Sequence, residues 1–247
     1  MMRAVVLTLL LATCGAYAQE PAGFDPHVGA RLPGSLELTD ASGAPRRLDS
    51  LFGKPTLLVF AYYTCPQLCG VVLAGLADGL RGITPLAGRD FSVVVVSFDP
   101  HDTPALAAAQ QKKYTDRYGR NAGAGWHFLT GGPAQVRALT AAAGFRYRFD
   151  AAQRRFVHPA GVIVLAPDGS IRAYLEGAAF TPQTLRDALA GIAVPHTLTT
   201  FQLFCGAIAG AIGTRTRAVL LVLQLVIVVF LGTLAWLGWR LHRRGSA

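Results

Sequence analysis

Residues 56–69, TLLVFAYYTCPQLC, decide the fold because they join a strand pattern to a helix pattern. Residues 56–62 form an almost continuous apolar run, which is typical of a strand buried on both faces of a sheet. Leucine and valine then recur at helical spacing, which predicts a helix over residues 69–80. Two cysteines, Cys65 and Cys69, therefore lie at a strand-to-helix junction.

The same alternation of strand and helix continues along the chain. Asp-Gly between two apolar runs is a hairpin signal. The further predicted elements are a strand over 91–98, a helix over 104–118, a strand over 127–130, a helix over 133–143, hairpin strands over 162–165 and 171–175, and a helix over 181–192. Strands alternating with helices predict an α/β sandwich, to which the late hairpin adds antiparallel strands.

Both ends of the chain carry targeting signals. Residues 1–18 combine a basic start, a short apolar core and a small-x-small cleavage site, as signal peptides do; acylation at Cys14 is the alternative. Residues 218–239 contain no charged side chain, and as a helix they would extend about 33 Å, enough to cross a bilayer. A buried core helix is the alternative for this stretch. The basic tail, residues 240–247, is expected to stay in the cytoplasm.

These signals divide the chain into six segments. They are a signal peptide (1–18), a lead-in loop (19–35), an exported α/β domain (36–195), a membrane-proximal connector (196–217), a transmembrane helix (218–239) and a basic cytoplasmic tail (240–247). The expected location is the inner (cytoplasmic) membrane, crossed once, with the domain in the periplasm. The 52% hydrophobic content excludes a disordered chain.

The net charge of +9 indicates topology and does not indicate nucleic-acid binding. Six of the 23 basic residues lie in the signal peptide or flank the apolar C-terminal stretch, whereas all 14 acidic residues lie in the exported part. No basic run with interleaved aromatic residues is present. We therefore expect protein and membrane partners and no nucleic acid.

Cys65 and Cys69 are placed where two thiols can act together. The N-terminus of a helix favours negative charge, which predicts a lowered thiol pKa. Residues four apart on a helix share a face, so both sulfurs can bind one soft metal ion or close into a disulfide. A purely structural disulfide is a further alternative, although its short loop would restrain little of the chain.

The histidines add one possible third ligand. His101 follows the second buried strand and can lie near the thiols, whereas His127 falls within a predicted strand and is expected to be packed. His158 precedes a strand, and taken alone it is more often a loop residue than a ligand. No methionine follows the predicted signal peptide, which excludes a thioether copper site.

Four motifs, in order and with matching spacing, resemble the Sco/SenC family over about residues 25–192. They are Thr-Cys-Pro-x-x-Cys at 64–69, Ser-Phe-Asp-Pro-x-Asp-Thr-Pro at 97–104, Gly-Trp-His-Phe-Leu-Thr-Gly at 125–131, and His158 followed by a strand and Pro-Asp-Gly at 167–169. The resemblance implies a thioredoxin-like fold with an inserted hairpin. It also implies one Cu(I) or Cu(II) ion bound by the paired cysteines and the distal histidine, here Cys65, Cys69 and His158.

The resemblance further implies a role in assembling the binuclear CuA centre of cytochrome c oxidase, with subunit II or another copper or thiol protein as partner. Asp99 matches an acidic residue near the family's site, where it would orient a ligand or the partner. Two features depart from the family pattern. Val157 stands where the family usually has aspartate, and the anchor is expected at the C-terminus instead of the N-terminus.

Several functions remain open from the sequence. A copper metallochaperone needs all three ligands, whereas a thiol–disulfide oxidoreductase needs only Cys65 and Cys69 as a redox pair. His158 favours the first, because dithiol exchange needs no distal imidazole. A peroxiredoxin-type peroxidase fits the closely spaced cysteines less well, and a membrane-tethered sensor is the non-catalytic alternative. Cys205 can be a lipid-facing thiol, a redox or disulfide partner, or a copper contact.

Overall fold

The computed structural model describes residues 22–65, 68–120, 125–151 and 153–192. The helices are α1 (Leu68–Arg81), α2 (Pro104–Tyr118), α3 (Pro133–Ala142) and α4 (Pro182–Ala190), with a 3-10 turn at Leu48–Leu51. The strands are β1 (Gly23–Phe24), β2 (Glu37–Asp40), β3 (Pro45–Arg47), β4 (Thr56–Ala61), β5 (Ser92–Ser97), β6 (Trp126–Thr130), β7 (Phe145–Arg146), β8 (Arg148–Asp150), β9 (Arg155–Val157), β10 (Gly161–Leu165) and β11 (Ile171–Glu176).

A seven-stranded mixed sheet forms the centre of this architecture, with its strands in the order β11-β10-β4-β5-β6-β2-β3. Strands β4, β5 and β6 run parallel, and the outer strands pair antiparallel. Every residue of β4, β5 and β10 is buried, which accounts for their continuous apolar sequences. The predicted α/β class and its antiparallel hairpin are therefore confirmed.

The helices begin where the sequence signals place them. The side chain of Thr103 caps α2 by accepting from the amide of Leu106, and Pro104 occupies the first turn. Thr181 caps α4 in the same way, and the helix ends at Gly191, which adopts a left-handed conformation. Local capping chemistry thus sets these boundaries.

Helix α1 packs closely against the chain that follows β11. A Cβ atom at Gly75 would overlap the carbonyl oxygen of Ala178, and one at Gly79 would overlap that of Phe180. Two glycines one helical turn apart therefore give α1 a face that the backbone of 178–180 can approach. This packing fixes the helix whose first turn carries Cys69.

Some short elements were not predicted from the sequence pattern. The β2–β3 pair lies at the edge of the sheet, and β3 is the outermost strand. Pro45 is tolerated there because an edge strand does not need every N–H group for pairing. Within the predicted lead-in loop, β1 pairs with β7, and Arg31 forms an isolated bridge with Ser170. A separate two-stranded hairpin joins β8 to β9.

The predicted signal peptide, connector, transmembrane helix and basic tail lie outside the described residues, as do Cys14 and Cys205. Within the described part of the chain, no helix has both the length and the apolar character needed to cross a membrane.

Candidate metal centre

The centre lies at the carboxyl end of β4. After this strand the chain turns, and the amide of Cys65 donates to the carbonyl of Tyr62 at 3.1 Å. Cys69 follows in the first turn of α1, and His158 comes from the connection between β9 and β10. Because β10 is the sheet neighbour of β4, the sheet brings His158 next to the two cysteines.

Cys65, Cys69 and His158 form a compact cluster. One donor atom from each residue lies within 4.8 Å of the other two. The Sγ atom of Cys69 and the Nε2 atom of His158 are 3.4 Å apart. Cys69 is buried, Cys65 and His158 are partly exposed, and neither cysteine is in a disulfide. The structure thus brings together the three residues that the sequence singled out.

The orientation of the His158 ring comes from its own main chain. Its Nδ1 atom lies 2.9 Å from the carbonyl oxygen of Pro159. A carbonyl only accepts hydrogen bonds, so Nδ1 carries the proton and Nε2 presents its lone pair toward the sulfur of Cys69. The Pro159 carbonyl thus orients the imidazole ring, as a carboxylate does at many metal-binding histidines.

Aromatic rings surround the imidazole of His158. Its centroid lies 5.2 Å from that of Phe98 and 5.9 Å from that of Tyr62, which meets it edge to face. The hydroxyl of Tyr62 hydrogen bonds to Cys65, and burial together with this bond raises the pKa of Tyr62 above its usual range. The sequence analysis did not single out Tyr62 or Phe98. The signal available in the sequence was their position, because Tyr62 directly follows β4 and Phe98 directly follows β5.

The environment of Cys69 holds its sulfur in the thiol form. The hydrogen bond to Cys65 and the burial of the side chain both raise the pKa of Cys69 well above its usual range. The expected lowering by the helix N-terminus is therefore wrong for this thiol, because desolvation of a sulfur that is 5% exposed disfavours the thiolate. A metal ion that binds here must displace the proton.

Asp102 ties the loops around the centre together. Its Oδ2 atom accepts from the amide of Tyr63 and from the hydroxyl of Ser97, each at 2.6 Å. Its other oxygen is buried and has no hydrogen-bond partner among the described residues. Burial raises the pKa of Asp102 despite these two bonds. The carboxylate thus joins the turn before Cys65 to the end of β5.

The donor set fits a soft metal ion. Metal–sulfur bonds of about 2.3 Å and metal–nitrogen bonds of about 2.0 Å place the donors of one ion roughly 3.5–4 Å apart. The cluster needs only a small contraction to reach this spacing. Thiolates favour Cu(I), and imidazole is compatible with Cu(II) as well.

The other predicted polar residues lie at different distances from this centre. Asp99 lines the same cleft as Cys65 and His158, but its carboxylate accepts from the amide of His101 at 2.9 Å and pairs with Nδ1 of that ring at 2.8 Å. The side chain of His101 is 90% exposed and is not part of the cluster. His127 is half-buried in β6, where burial lowers its pKa.

Known proteins of similar sequence and structure agree with this architecture. A protein of Stutzerimonas stutzeri, provisionally named a copper-binding protein, is 29% identical over 145 residues, which are 57% of this chain and 67% of that protein. A crystal structure from Aquifex aeolicus VF5, provisionally described as an electron transfer protein, superposes with a TM-score of 0.60 at 27% identity, over 69% of this chain and 99% of that one.

The copper-bound structure of Bradyrhizobium japonicum ScoI superposes with a TM-score of 0.51, over 67% of this chain and 99% of that chain. At 24% identity this likeness shows the shared fold. The sequence profile of the SCO1/SenC family matches residues 25–193, which is more than half of the chain and includes all three residues of the cluster. The chain therefore belongs to the SCO1/SenC family.

Proposed function

We propose that this protein binds one copper ion through Cys65, Cys69 and His158 and transfers it to another protein. The observation that carries the proposal is the convergence of three soft or borderline donors, within 4.8 Å, from two separate parts of the chain. Membership of the SCO1/SenC family supports it, as do the copper named for the S. stutzeri relative and the copper bound in the B. japonicum structure.

The arrangement suits transfer better than permanent storage. Three protein ligands leave an open side on a copper ion, through which a sulfur of another protein can approach. Cys65 and His158 line a cleft of about 740 Å³, whereas Cys69 lies deeper. Copper can thus move by stepwise exchange of ligands, beginning at the accessible Cys65, and Cys69 regains its proton when the ion departs.

The setting belongs to the same proposal. The recipient is the CuA centre of cytochrome c oxidase, reached through subunit II or another copper or thiol protein. The chain is held in the cytoplasmic membrane by residues 218–239, with residues 36–195 in the periplasm and Asp99 guiding a ligand or the partner. Protease treatment of spheroplasts tests this topology: the domain should be digested while the membrane stays intact, and protection of the domain would contradict it.

A thiol–disulfide oxidoreductase acting on CuA-site cysteines is the second candidate. The observation that favours it is the hydrogen bond between the side chains of Cys65 and Cys69, which shows that the two sulfurs are neighbours. Such a protein would reduce a partner disulfide by forming its own disulfide between these residues. The distal imidazole has no part in that exchange.

Copper stoichiometry on the whole protein, purified reduced in a neutral detergent, separates the two candidates. We expect one Cu(I) per wild-type chain and a loss of affinity of at least about 10-fold in His158→Ala. His101→Ala is the matched control, because its exposed imidazole lies outside the cluster. Undiminished binding in His158→Ala would remove this residue from the site. No copper binding, with a reversible disulfide, would favour the oxidoreductase.

A further inference from the structure

The cleft beside the cysteines has an unusually apolar rim for a protein surface. Val71 of α1 is 56% exposed and Phe149 of β8 is 55% exposed, and both line this cleft together with Cys65 and His158. They are two of the four large hydrophobic side chains that are strongly exposed in the described part of the chain. Exposed apolar groups that gather around one concave site are typical of a surface that another molecule covers.

The same rim is strongly basic. Residues 145–158, which contain the β8–β9 hairpin, include four arginines and one aspartate. Arg148 lies 3.9 Å from Asp150, and Arg146 lies 3.7 Å from Asp25. The remaining two arginines, Arg154 and Arg155, are exposed, line the cleft and have no carboxylate within 4 Å among the described residues.

Few acidic groups face these two arginines across the cleft. Asp99 is the acidic residue that lines it, and this carboxylate is 13% exposed and already paired with His101. Asp150 is the cross-strand neighbour of Arg155, and it pairs with Arg148 at 3.9 Å. The cleft therefore offers a net positive charge beside apolar contacts. A negatively charged occupant would be attracted over a distance of about 10 Å at moderate ionic strength.

The backbone at Arg154 supports a role for its side chain. Arg154 has a φ of +49°, in the left-handed region that favours glycine or asparagine at a turn. The turn alone would be more stable with glycine, so the fold does not account for arginine at this position. A strained residue in the rim of a cleft points to a function of the exposed side chain.

We propose that the cleft formed by the β8–β9 hairpin and Val71 is the docking surface for an acidic protein that exchanges copper with this site. This inference rests on the proposed copper function and adds the chemistry of the partner. The partner presents carboxylates to Arg154 and Arg155, apolar side chains to Phe149 and Val71, and a cysteine sulfur to the open side of the site.

A protein partner fits the cleft better than an anionic bilayer does, because the thiol of Cys65 lies inside the same cleft. A bilayer supplies no soft ligand, whereas a docked cysteine can exchange copper directly. In delivery, the Cu(I)–sulfur bond to Cys65 breaks as a bond to the partner's cysteine forms, and uptake from a loaded partner is the same exchange in reverse. The proton of the incoming thiol passes to the released sulfur, and no electron is transferred.

A synthetic probe tests the charge of the partner. Two peptides carry the same Cys-x-x-Cys pair and phenylalanine, one with flanking aspartates and the other with flanking lysines, and each is loaded with Cu(I). The whole protein is held in nanodiscs of phosphatidylcholine, or of phosphatidylcholine with phosphatidylglycerol. Stopped-flow measurement gives the second-order rate constant of copper transfer at low and high salt, and equilibrium copper content is measured on the same samples.

Three variants accompany the wild type. Arg154→Gly removes a cation while relaxing the turn, and Arg155→Gln removes the second cation. Arg186→Gln is the matched control, since Arg186 is exposed on α4 and does not line the cleft. We expect the combined Arg154→Gly and Arg155→Gln change to slow transfer from the aspartate peptide about 10-fold at low salt, with little effect at high salt. The control and the lysine peptide should show no such loss.

The outcomes separate this inference from the function on which it rests. Equal rates for both peptides and all variants, with one copper bound at equilibrium, would overturn the docking surface and leave the copper function standing. A wild-type protein that binds no copper would overturn both. An arginine effect that occurs only in nanodiscs with phosphatidylglycerol would assign the surface to lipid and overturn the protein partner.

Discussion

The ring of Phe98 is expected to support metal binding as well as the fold, because it packs against His158. The two ring centroids are 5.2 Å apart, and Phe98 is 1% exposed. It lies directly after β5 and contacts four further aromatic rings, those of Tyr62, Phe145, Tyr147 and Phe156. Removing it would leave a cavity against one face of the imidazole.

The size of the effect follows from this packing. Truncating a buried phenylalanine to alanine costs about 3–5 kcal/mol, so we expect Phe98→Ala to lower the free energy of unfolding by about 4 kcal/mol. Phe98→Leu retains most of the volume and should cost about 1–1.5 kcal/mol, chiefly through lost ring contacts. Because residues that orient a metal ligand change affinity about 10–100-fold, we expect roughly 10-fold weaker copper binding in Phe98→Ala.

Phe128→Ala is the matched control for these variants. Phe128 is fully buried in β6 and stacks with Tyr114 and Trp126, away from His158. Urea unfolding of the metal-free protein measures stability, and competition with a chromophoric Cu(I) chelator measures affinity. Phe128→Ala should lose similar stability and keep wild-type affinity. If Phe98→Ala also keeps wild-type affinity, the rings do not position His158 and the reasoning fails.

Two further predictions concern stability. The folded protein holds a proton on Asp102 more tightly than the unfolded chain does, because burial raises its pKa. The contribution of this group to stability is therefore complete below about pH 3.9 and is lost as the pH rises through the raised pKa. Urea unfolding at a series of pH values should show this trend in the wild type and not in Asp102→Asn. Gly75→Ala should lower stability by about 2 kcal/mol or more, because the added methyl overlaps a backbone oxygen. Gly70→Ala is the control, because a Cβ there meets nothing closer than 3.6 Å, and it should be neutral or stabilising by up to about 1 kcal/mol in thermal unfolding. Equal losses of stability in both variants would show that the close approach of Ala178 to Gly75 is not the cause.

The central elements of the fold could be predicted because local sequence decides them. The apolar runs of β4 and β5 match strands buried on both faces, and Pro104 and Pro182 begin helices capped by threonine. Cys65 and Cys69 followed from their position at a strand-to-helix junction. The position of His158 could not be predicted in this way, because it lies near the cysteines only when β10 pairs with β4. Only the family resemblance singled out this residue.

Features that depend on tertiary packing could not be predicted from local sequence. The pKa of Cys69 is raised because the folded chain buries it beside Cys65, which no helix-terminus argument shows. The hydrogen bond from Tyr62 to Cys65 joins residues only three apart. Its prediction would nevertheless require the conformation of the turn between them. The short strands β8 and β9 have too few residues for a periodic signal, although their arginines are conspicuous in the sequence.

The division of the ligands between two parts of the chain connects the copper site to the proposed docking surface. Cys65 and Cys69 belong to the β4–α1 junction, whereas His158 directly follows β9 of the hairpin that carries Arg154 and Arg155. A copper ion bound by all three residues would therefore join the base of that hairpin to the core. Without copper the hairpin already contacts the core, because Phe156 of β9 packs against Tyr62 and Phe98. The distal histidine would thus do more than complete a coordination set, because it would place the copper ion at the base of the proposed docking surface.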